Sequence, residues 1–154
     1  MILAIDPGST GCLVILGPDG SYASHLHMPT IKVGKKNRVN GAAIIGWLSP
    51  LAFNIEHAYL EKVQAMPGQG VSSMFTFGHA AGLVEGVVTG AGIPLTLVTP
   101  QAWKKHAGLI GTEKDAARSR AVQLYPGIRD LDFKGKGQAL ADALLIGRYG
   151  LQIS

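Results

Sequence analysis

Three acidic residues stand in apolar surroundings along the chain, and their side chains are the strongest candidates for chemistry. Asp6 ends the apolar segment MILAI, Glu61 follows AYL, and Asp142 lies within ALADALLIGRYG. Only 10 of the 154 residues are acidic, so three at such sites are informative. A carboxylate among apolar side chains is costly unless a cation or hydrogen-bond donors compensate it. A simpler interpretation of Asp6 stays open, because Asp before Pro-Gly is common in tight turns.

Basic residues outnumber acidic ones and fall into clusters. The formal net charge is +4, from 14 Lys and Arg against 10 Asp and Glu, and the isoelectric point is about 9.3. The clusters are Lys32, Lys35, Lys36 and Arg38; Lys104 and Lys105; Lys114, Arg118 and Arg120; and Lys134 and Lys136. A solvated surface explains any single cluster, but several flank the candidate acids. The charge therefore permits a polyanionic partner without requiring one.

Length and composition predict one compact domain over residues 1–154. With 47% hydrophobic residues, the chain can form a substantial core. No apolar run is long enough to cross a bilayer, and the first residues do not resemble a secretory signal. We therefore expect a cytoplasmic protein without a membrane partner. The single cysteine, Cys12, excludes an internal disulfide and a cysteine-rich zinc site, and its place in a strand favours packing.

The first part of the chain predicts an antiparallel meander, then a helix and a fourth strand. The predicted meander strands cover residues 1–6, 11–17 and 21–28. The short turns PGSTG and GPDG join them. The segment 29–40 is polar and basic and predicts a loop. Asn40 is a candidate N-cap for a helix over 41–53 that Pro50 ends or kinks, and HAYLEK predicts the fourth strand.

The next part predicts helices that alternate with a strand. Ser72 or Ser73 begins a long helix that reaches residue 91, and IPLTLVT is typical of a buried, parallel strand. Thr99 followed by Pro100 is a strong helix start, and the short helix QAWKKHAG ends at a glycine. This order places a parallel crossover after the antiparallel meander.

The last part predicts two more helices and completes the fold class. Thr112 and Asp115 resemble a capping box for a helix that runs to Leu124, and the last helix begins at Gln138 after a charged loop. A meander followed by parallel crossovers predicts an α/β protein with a central mixed five-stranded sheet flanked by helices. An acid from the first strand, one from the fourth strand and one from the last helix then meet at one edge of the sheet.

Four segments of the sequence occur in an order typical of one protein family. They are IDPGSTG at 5–11, LEKVQAMPGQG at 60–70, VTPQAWKKHAGLIGTEK at 98–114 and ADALLIGRYG at 141–150. In this order they resemble the RuvC-type Holliday junction resolvases, and the similarity spans almost the whole chain. The compact length and the MPGQG segment are most similar to the bacteriophage members. The first segment alone also resembles the Gly-rich hairpin of actin-like ATPases and sugar kinases.

The resemblance implies a ribonuclease H-like fold and a homodimeric, magnesium-dependent endonuclease that cuts four-way DNA junctions. It also implies that Asp6, Glu61 and Asp142 are catalytic and bind metal. Two divalent cations about 3.5–4 Å apart can activate a water and relieve charge on the leaving oxygen. Oxygen ligands suit Mg²⁺, with Mn²⁺ as a substitute. We expect two ions with DNA bound, no small-molecule cofactor, and a bacterial cytoplasmic location, including that of a bacteriophage-encoded protein.

The same resemblance suggests residues that contact DNA. Lys104 and Lys114 match family lysines near the active site, although ordinary surface lysines are the alternative. The full set of DNA-binding candidates is Lys104, Lys105, Lys114, Lys134, Lys136, Lys35, Lys36, Arg38 and Phe75. Gln64 stands where the family has its junction-opening aromatic. Phe75 and Phe77 are candidate substitutes that stack on bases, but we expect at least one of them to pack in the core.

The chain departs from the family at the fourth metal ligand. The family has Asp or His one turn before the helix acid, whereas Gln138 and Ala139 stand four and three residues before Asp142. Ala139 cannot bind a metal, so Gln138 is the candidate for a neutral oxygen ligand. Asp130 and Asp132 in the preceding loop are further candidates. A second metal ion then binds weakly or needs a DNA phosphate to complete its ligands.

These observations favour a metal-dependent endonuclease that makes paired nicks in four-way junctions. A dimer would supply two active sites, and the small residues of the helix over 72–91 are the expected interface. One alternative is a junction-binding protein with weak or lost catalysis, which the missing fourth acid favours. Another is an actin-like, ATP-binding phosphotransferase, but that fold clamps its nucleotide between two such domains and 154 residues leave room for one.

Overall fold

The computed structural model describes residues 1–154, which form seven strands and five α-helices. The strands are β1 (Ile2–Asp6), β2 (Cys12–Leu16), β3 (Tyr22–His27), β4 (Thr30–Val33), β5 (Lys36–Val39), β6 (His57–Glu61) and β7 (Leu95–Val98). The helices are α1 (Gly41–Leu48), α2 (Val71–Gly90), α3 (Pro100–His106), α4 (Ala116–Leu124) and α5 (Lys134–Ile153). Short 3-10 segments cover Ala52–Asn54 and Arg129–Asp132. None of the helices combines the length and the apolar character that crossing a membrane requires.

Five strands form the predicted mixed sheet, and their order is β3-β2-β1-β6-β7. β1, β2 and β3 are antiparallel neighbours, whereas β1, β6 and β7 are parallel. Asp6, at the carboxyl end of β1, pairs with Cys12 on β2, which pairs with His27 on β3. Glu61 ends the parallel neighbour β6. The carboxyl ends of parallel strands lie at one edge of a sheet, so Asp6 and Glu61 emerge on the same side.

α5 lies against one face of this sheet. It packs on β1, β2 and β6 through buried leucines and alanines, and α3 and α4 pack beside it. Two glycines bring its backbone close to the strands. A Cβ on Gly147 would lie 2.7 Å from Cδ1 of Leu16, and one on Gly150 would overlap the ring of Tyr59. This close approach fixes the height of the helix above the sheet and therefore the position of Asp142.

α1 and α2 cover the other face of the sheet. Leu3 and Ile5 belong to this second core, whereas their neighbours in β1 face α5, because successive side chains of a strand point to opposite faces. The side chain of Asn40 accepts a hydrogen bond of 3.2 Å from the backbone N–H of Ala43. Asn40 therefore caps α1 as predicted, and the helix ends two residues before Pro50.

The loop predicted over residues 29–40 is wrong, because β4 and β5 form a separate two-stranded hairpin there. Val33 pairs with Lys36, so Gly34 and Lys35 make a two-residue turn. Gly34 has φ of +63°, and a type II′ turn favours glycine at this first position. All of β4 and most of β5 are exposed, so no alternating buried positions indicated strands.

The last helix and the last strand of the sheet also differ from prediction. α5 begins at Lys134 and not at Gln138. The backbone at Gly137 packs against the carbonyl oxygen of Leu131, where a Cβ would lie 2.6 Å away, so glycines typical of a loop form the first helical turn. β7 is parallel as predicted, but it is an edge strand, and Leu97 is 43% exposed instead of buried.

Of the three predicted helix caps, the one at Thr99 is confirmed along with that at Asn40, and the third is wrong. The hydroxyl of Thr99 accepts a hydrogen bond of 3.3 Å from the backbone N–H of Ala102 at the start of α3. The capping box at Thr112 is wrong, because its hydroxyl donates to the carbonyl oxygen of Leu109 and α4 begins four residues later. α2 starts one residue before Ser72 and has no side-chain cap.

Candidate active site

Two strands and one helix bring Asp6, Glu61 and Asp142 to the same region. β1 ends at Asp6, β6 ends at Glu61, and α5 carries Asp142 across both strands. Their charges act on one another. Those of Asp142 and Glu61 raise the pKa of Asp6, and that of Glu61 raises the pKa of Asp142. Because electrostatic effects weaken with distance, these effects indicate that the three carboxyl groups lie close together. We refer to the three residues as the carboxylate cluster.

All three carboxyl groups have raised pKa values because the fold withdraws them from water. Burial is the main cause, and it raises the pKa of Asp142 from 3.8 to about 7 and the pKa of Asp6 well above 3.8. Burial also raises the pKa of Glu61, and the indole Nε1 of Trp103 opposes this by donating a 2.6 Å hydrogen bond to Oε2. The positive charge of Lys104 lowers the pKa of each of the three acids.

The carboxylate cluster has no counter-ion from the chain, which makes it suitable for divalent cations. No Lys or Arg nitrogen lies within 4.0 Å of its oxygens, and the acids that do pair with a permanent positive charge are Glu56 and Asp115. A set of oxygen ligands suits Mg²⁺ or Mn²⁺. The three ligand oxygens are not all within 4.8 Å of one another. This spacing is wider than one small ion needs and is compatible with two neighbouring ions.

A cleft of about 940 Å³ opens over Asp6 and Asp142. The lysines that line it are Lys114, Lys134 and Lys136. Lys104 stands beside the cluster, with its Nζ 5.3 Å from the ring centroid of Trp103. Lys105 follows on the exposed side of α3 and does not line the cleft. Most of the predicted basic residues of the second half of the chain therefore surround the acids.

A second groove, of about 660 Å³, extends from the other side of Asp6. It lies between the turn after β1, the β4-β5 hairpin and the start of α2. Lys36 lines it and donates a 3.2 Å hydrogen bond to Oγ of Ser72. The ring of Phe77 packs on the turn at Gly8, where φ is +113° and a Cβ would lie 3.1 Å from the ring. Asp6 thus lies between two grooves, one lined by three lysines and the other by Lys36.

A third groove, of about 370 Å³, contains the exposed aromatic Phe75 and Arg38. Ser9 lines all three grooves and connects them. Phe75 is 72% exposed and Phe77 is 37% exposed, so the prediction that at least one packs in the core is wrong. Lys35 is exposed in the turn of the hairpin above this groove.

Gln138 lies one helical turn before Asp142 and lines the cleft. Its side-chain Nε2 donates a 3.0 Å hydrogen bond to Oδ1 of Asp142, which leaves the amide oxygen without a partner in the chain. Asp130 is hydrogen-bonded to two histidines of β3 and does not line the cleft. Asp132 is exposed and also lies outside it. Of the candidates for a fourth ligand, only Gln138 lies at the cluster.

Sequence reasoning missed two features of this region. Trp103 is buried and binds Glu61, and the one available signal was a tryptophan in the helix that directly follows β7. The second feature is the pair His25 and His27, which share a face of β3 because side chains alternate along a strand. The spacing of the two histidines was visible, but their partner Asp130 is more than 100 residues away in sequence.

Two solved structures share this arrangement of strands and helices. The structure of T. thermophilus RuvC in complex with a Holliday junction substrate matches with a TM-score of 0.66 over 99% of this chain and 94% of that chain, at 20% sequence identity. A second Thermus thermophilus RuvC structure matches with a TM-score of 0.56 over 97% of this chain and 96% of that chain, also at 20% identity. The chain has the RuvC fold. The ribonuclease H-like fold expected from the four segments is confirmed.

One curated relative shares part of its sequence with this RuvC-like chain. The chloroplastic Holliday junction resolvase MOC1 of Chlamydomonas reinhardtii is 32% identical over 96 residues, which are 62% of this chain. The match covers 11% of the length of that relative. No protein-family model matches the sequence. The solved structures therefore establish the fold of the chain.

Proposed function

We propose that the protein is a divalent-metal-dependent endonuclease that resolves four-way DNA junctions by paired phosphodiester hydrolysis. The observation that carries the proposal is a carboxylate cluster without a counter-ion, two of whose acids, Asp6 and Asp142, line a cleft with three lysines. The comparisons support the choice of substrate, since one RuvC structure is bound to a Holliday junction and the curated relative is a Holliday junction resolvase. A cytoplasmic location in bacteria or bacteriophage-infected bacteria is part of the same proposal.

The carboxylate cluster would hold the cations, and Gln138 would add a neutral oxygen. Bound divalent cations supply an activated water and relieve charge on the leaving oxygen. Trp103 fixes the carboxylate of Glu61 by donating its indole hydrogen bond to Oε2, which leaves Oε1 for a cation. Since protons compete with cations for carboxylates whose pKa values are raised, binding improves as the pH rises to about 7 and above.

Mg²⁺ is the cation that we propose, with Mn²⁺ as a substitute. All candidate ligand atoms are oxygens, which Mg²⁺ prefers, and waters or DNA phosphate oxygens would supply the remaining ligands. Two ions are expected with DNA bound, because the three carboxylate oxygens do not all lie within 4.8 Å of one another and a DNA phosphate would replace the missing fourth acid as a ligand.

The grooves define a path for DNA across the site. At the cleft, lysines would neutralise the phosphates next to the scissile bond. Beyond Ser9, the hairpin would extend the contact, and the exposed ring of Phe75 would stack on an unpaired base. The residues assigned to DNA binding are Lys104, Lys105, Lys114, Lys134, Lys136, Lys35, Lys36, Arg38 and Phe75.

The paired cuts require two active sites, and we propose a homodimer formed through α2. Glycines recur every fourth residue along one exposed side of this helix, at Gly78, Gly82, Gly86 and Gly90, and a Cβ on any of them would meet nothing within 4 Å. Small residues at this spacing let the backbone of a second helix approach closely. A Gly82→Leu variant is expected to be monomeric by light scattering and to nick junctions without pairing the cuts, whereas a dimeric Gly82→Leu variant would contradict this interface.

The test uses a synthetic four-way junction labelled on each strand in turn, with Mg²⁺ or Mn²⁺ and a denaturing gel. We expect nicks in two opposed strands, no cutting of linear duplex DNA, and no nicking after removal of the divalent cation. Glu61→Gln is the matched variant, since it keeps the side-chain shape and should bind the junction without cutting it.

Other results would decide for the alternatives. Junction binding by the native protein without nicking in either cation would favour the protein with lost catalysis. ATP turnover without nicking would favour the actin-like phosphotransferase. Full nicking by Glu61→Gln would remove Glu61 from the catalytic group.

A further inference from the structure

A second polar cluster lies beside the carboxylate cluster, on the same face of the sheet. His25 and His27 project from the edge strand β3 towards the α5 layer, where Asp130 stands in the 3-10 segment before α5. We refer to these three residues as the histidine cluster. His27 also lines the cleft that contains Asp6, so the two clusters are neighbours. Nothing in the proposed nuclease chemistry uses the histidine cluster.

The distances within the histidine cluster are close to those of a metal site. Nε2 of His25 and Nε2 of His27 each lie 3.0 Å from the same oxygen, Oδ2 of Asp130. In a tetrahedral zinc site with bonds of about 2.0–2.1 Å, neighbouring ligand atoms are roughly 3.3 Å apart. All three ligand atoms lie within 4.8 Å of one another, and they form the one group of His, Cys, Asp and Glu ligands in the chain that meets this spacing.

The outer contacts also orient the cluster as in metal sites. The hydroxyl of Tyr22 lies 2.6 Å from Nδ1 of His25, so the second ring nitrogen has a fixed partner and Nε2 is directed at Asp130. Metal-binding histidines commonly have such a partner on the other ring nitrogen. The rings of His25 and His27 are 4.9 Å apart in an edge-to-face arrangement that limits their rotation.

The cluster is also open to an ion, and its carboxylate has only the two histidines as partners. No Lys or Arg pairs with Asp130. The side chains of His25 and His27 are 15% and 23% exposed, and that of Asp130 is 40% exposed. A groove of about 450 Å³ reaches His25 and Asp130 from outside, and the cleft reaches His27. Three ligands from the chain leave a fourth position for water.

We propose that His25, His27 and Asp130 bind a transition-metal ion of the zinc type and thereby clamp the segment before α5 to strand β3. Two imidazole nitrogens and one carboxylate favour zinc or cobalt over magnesium, which prefers oxygen ligands. The site is therefore chemically distinct from the carboxylate cluster. Because Asp130 directly precedes α5, the bound ion would stabilise the turn that carries Lys134 and the helix that carries Asp142.

The test is metal binding by the full chain after treatment with a chelator. We expect one Zn²⁺ per chain by calorimetry, and intense visible absorption when tetrahedral Co²⁺ binds. Loss of an outer partner of a metal ligand weakens binding by up to about 100-fold. His27→Ala removes a ligand itself and should therefore weaken Zn²⁺ binding by more than about 100-fold. Tyr22→Phe should weaken it about 10-fold, because only the orienting contact is lost. Zn²⁺ should also raise the Tm of the native chain but not of His27→Ala.

Matched controls separate this site from the rest of the molecule. Asp130→Asn keeps the side-chain shape and guards against a misfolded alanine variant, and it too should lose Zn²⁺ binding. Asp6→Asn should retain binding, as should His79→Ala, which removes an exposed histidine from α2. The proposal fails if the native chain shows no saturable Zn²⁺ binding, if Asp130→Asn and His27→Ala bind as tightly as the native chain, or if Asp6→Asn abolishes binding. The site can fail these tests while junction nicking persists, so the two proposals are distinguishable.

Discussion

The carboxylate cluster and the histidine cluster are neighbours on one face of the sheet, yet they have opposite electrostatics. In the first, three acids repel one another in a buried setting, and burial raises their pKa values. In the second, hydrogen bonds from His27 and His25 hold the pKa of Asp130 below its usual range. One cluster is destabilised when it is empty, whereas the other is already satisfied by its own partners.

This difference follows from how each acid reaches its site. Asp6 and Glu61 end buried parallel strands, and no basic side chain from a neighbouring strand lies beside them. Asp130 comes from a surface segment and meets the edge strand β3, where alternate side chains point at it. The acids at the ends of the central strands therefore need an external cation to balance their charge, whereas the edge strand supplies nitrogen ligands.

Replacement of an aspartate by asparagine should have opposite effects on stability in the two clusters, and the accompanying loss of nicking is the largest effect that we expect. Asp6→Asn should reduce nicking at least about 10³-fold, because a cation ligand is lost. It should also raise the free energy of unfolding of the metal-free protein at pH 8, because burial and the neighbouring acids disfavour the ionised carboxylate, whereas the amide has no charged form. Asp130→Asn should lower that free energy by about 1 kcal/mol through weaker hydrogen bonds. Nicking assays and urea unfolding measure both, and equal signs for the two variants would refute the comparison.

The pH dependence of stability should reveal the repulsion directly. The pKa of Asp142 is raised in the folded state from 3.8 to about 7, so the folded protein holds a proton that the unfolded chain loses between these values. Stability of the metal-free protein should therefore fall as the pH rises from 5 to 8, by on the order of 3 kcal/mol from this group. Urea unfolding at several pH values measures it.

Two controls isolate the cause of that pH dependence. Asp142→Asn should make the profile flatter, and saturating Mg²⁺ should restore stability at pH 8 because the cation replaces the proton. A metal-free protein whose stability rises between pH 5 and 8 would contradict the raised pKa values.

Loss of the indole donor should weaken the carboxylate cluster without removing any acid. Trp103→Phe deletes the 2.6 Å hydrogen bond to Glu61 and keeps most of the buried ring volume. We expect the Mg²⁺ concentration for half-maximal nicking to rise about 10–100-fold, as when an outer partner of a metal ligand is lost. Trp47→Phe, in the other core, is the control and should leave the Mg²⁺ requirement unchanged. An unchanged requirement in Trp103→Phe would show that Glu61 needs no positioning.

An additional acid should increase the affinity of the carboxylate cluster for divalent cations. Gln138→Asp places a carboxylate one turn before Asp142, where the chain has only a neutral amide. We expect Mg²⁺ affinity in the absence of DNA to increase about 10-fold, because ligand charge raises affinity for hard cations. Calorimetry with Mg²⁺ measures it, and Gln138→Ala should change affinity little. A lower affinity in Gln138→Asp would place Gln138 outside the coordination shell.

Single lysines of the cleft should have the smallest effects. Lys134→Ala and Lys136→Ala should each weaken junction binding a few-fold and make the slope of log affinity against log salt shallower by about 0.9, if each contacts one phosphate. Lys32→Ala, on the exposed hairpin outside the grooves, is the control. Fluorescence anisotropy across a salt series measures these slopes. An unchanged slope in both cleft variants would remove these lysines from the DNA contact.

The sequence predicted the central sheet well because its strands are strongly apolar, and the acids Asp6 and Glu61 could be placed at strand ends by pattern alone. It did not predict the β4-β5 hairpin, because a surface hairpin lacks a buried side. It missed the early start of α5, since Gly135 and Gly137 are poor helix formers and the close contact of Gly137 with Leu131 forms only in the folded chain.

The candidate site was predictable only in part for a similar reason. Acids in apolar settings are visible along a chain, whereas partners that arrive from another element are not. Trp103 reaches Glu61 across 42 residues, and Asp130 reaches His25 across 105. Such pairs depend on strand order and helix placement, which local patterns do not specify. The assignment of catalytic and DNA-binding roles stays a prediction until the variants are measured.

The two glycines under α5 act on the carboxylate cluster from a distance. Gly147 lies five residues beyond Asp142, about 7.5 Å along the helix axis, and it rests on Leu16 with no room for a methyl group. Any larger residue there would tilt the helix outward and lift its acid off the strand ends, although the substituted position faces only hydrocarbon. Positions that contact neither an ion nor a nucleotide can thus set the spacing of the ligands. We therefore expect α5 to tolerate substitution least on the side that packs against the sheet.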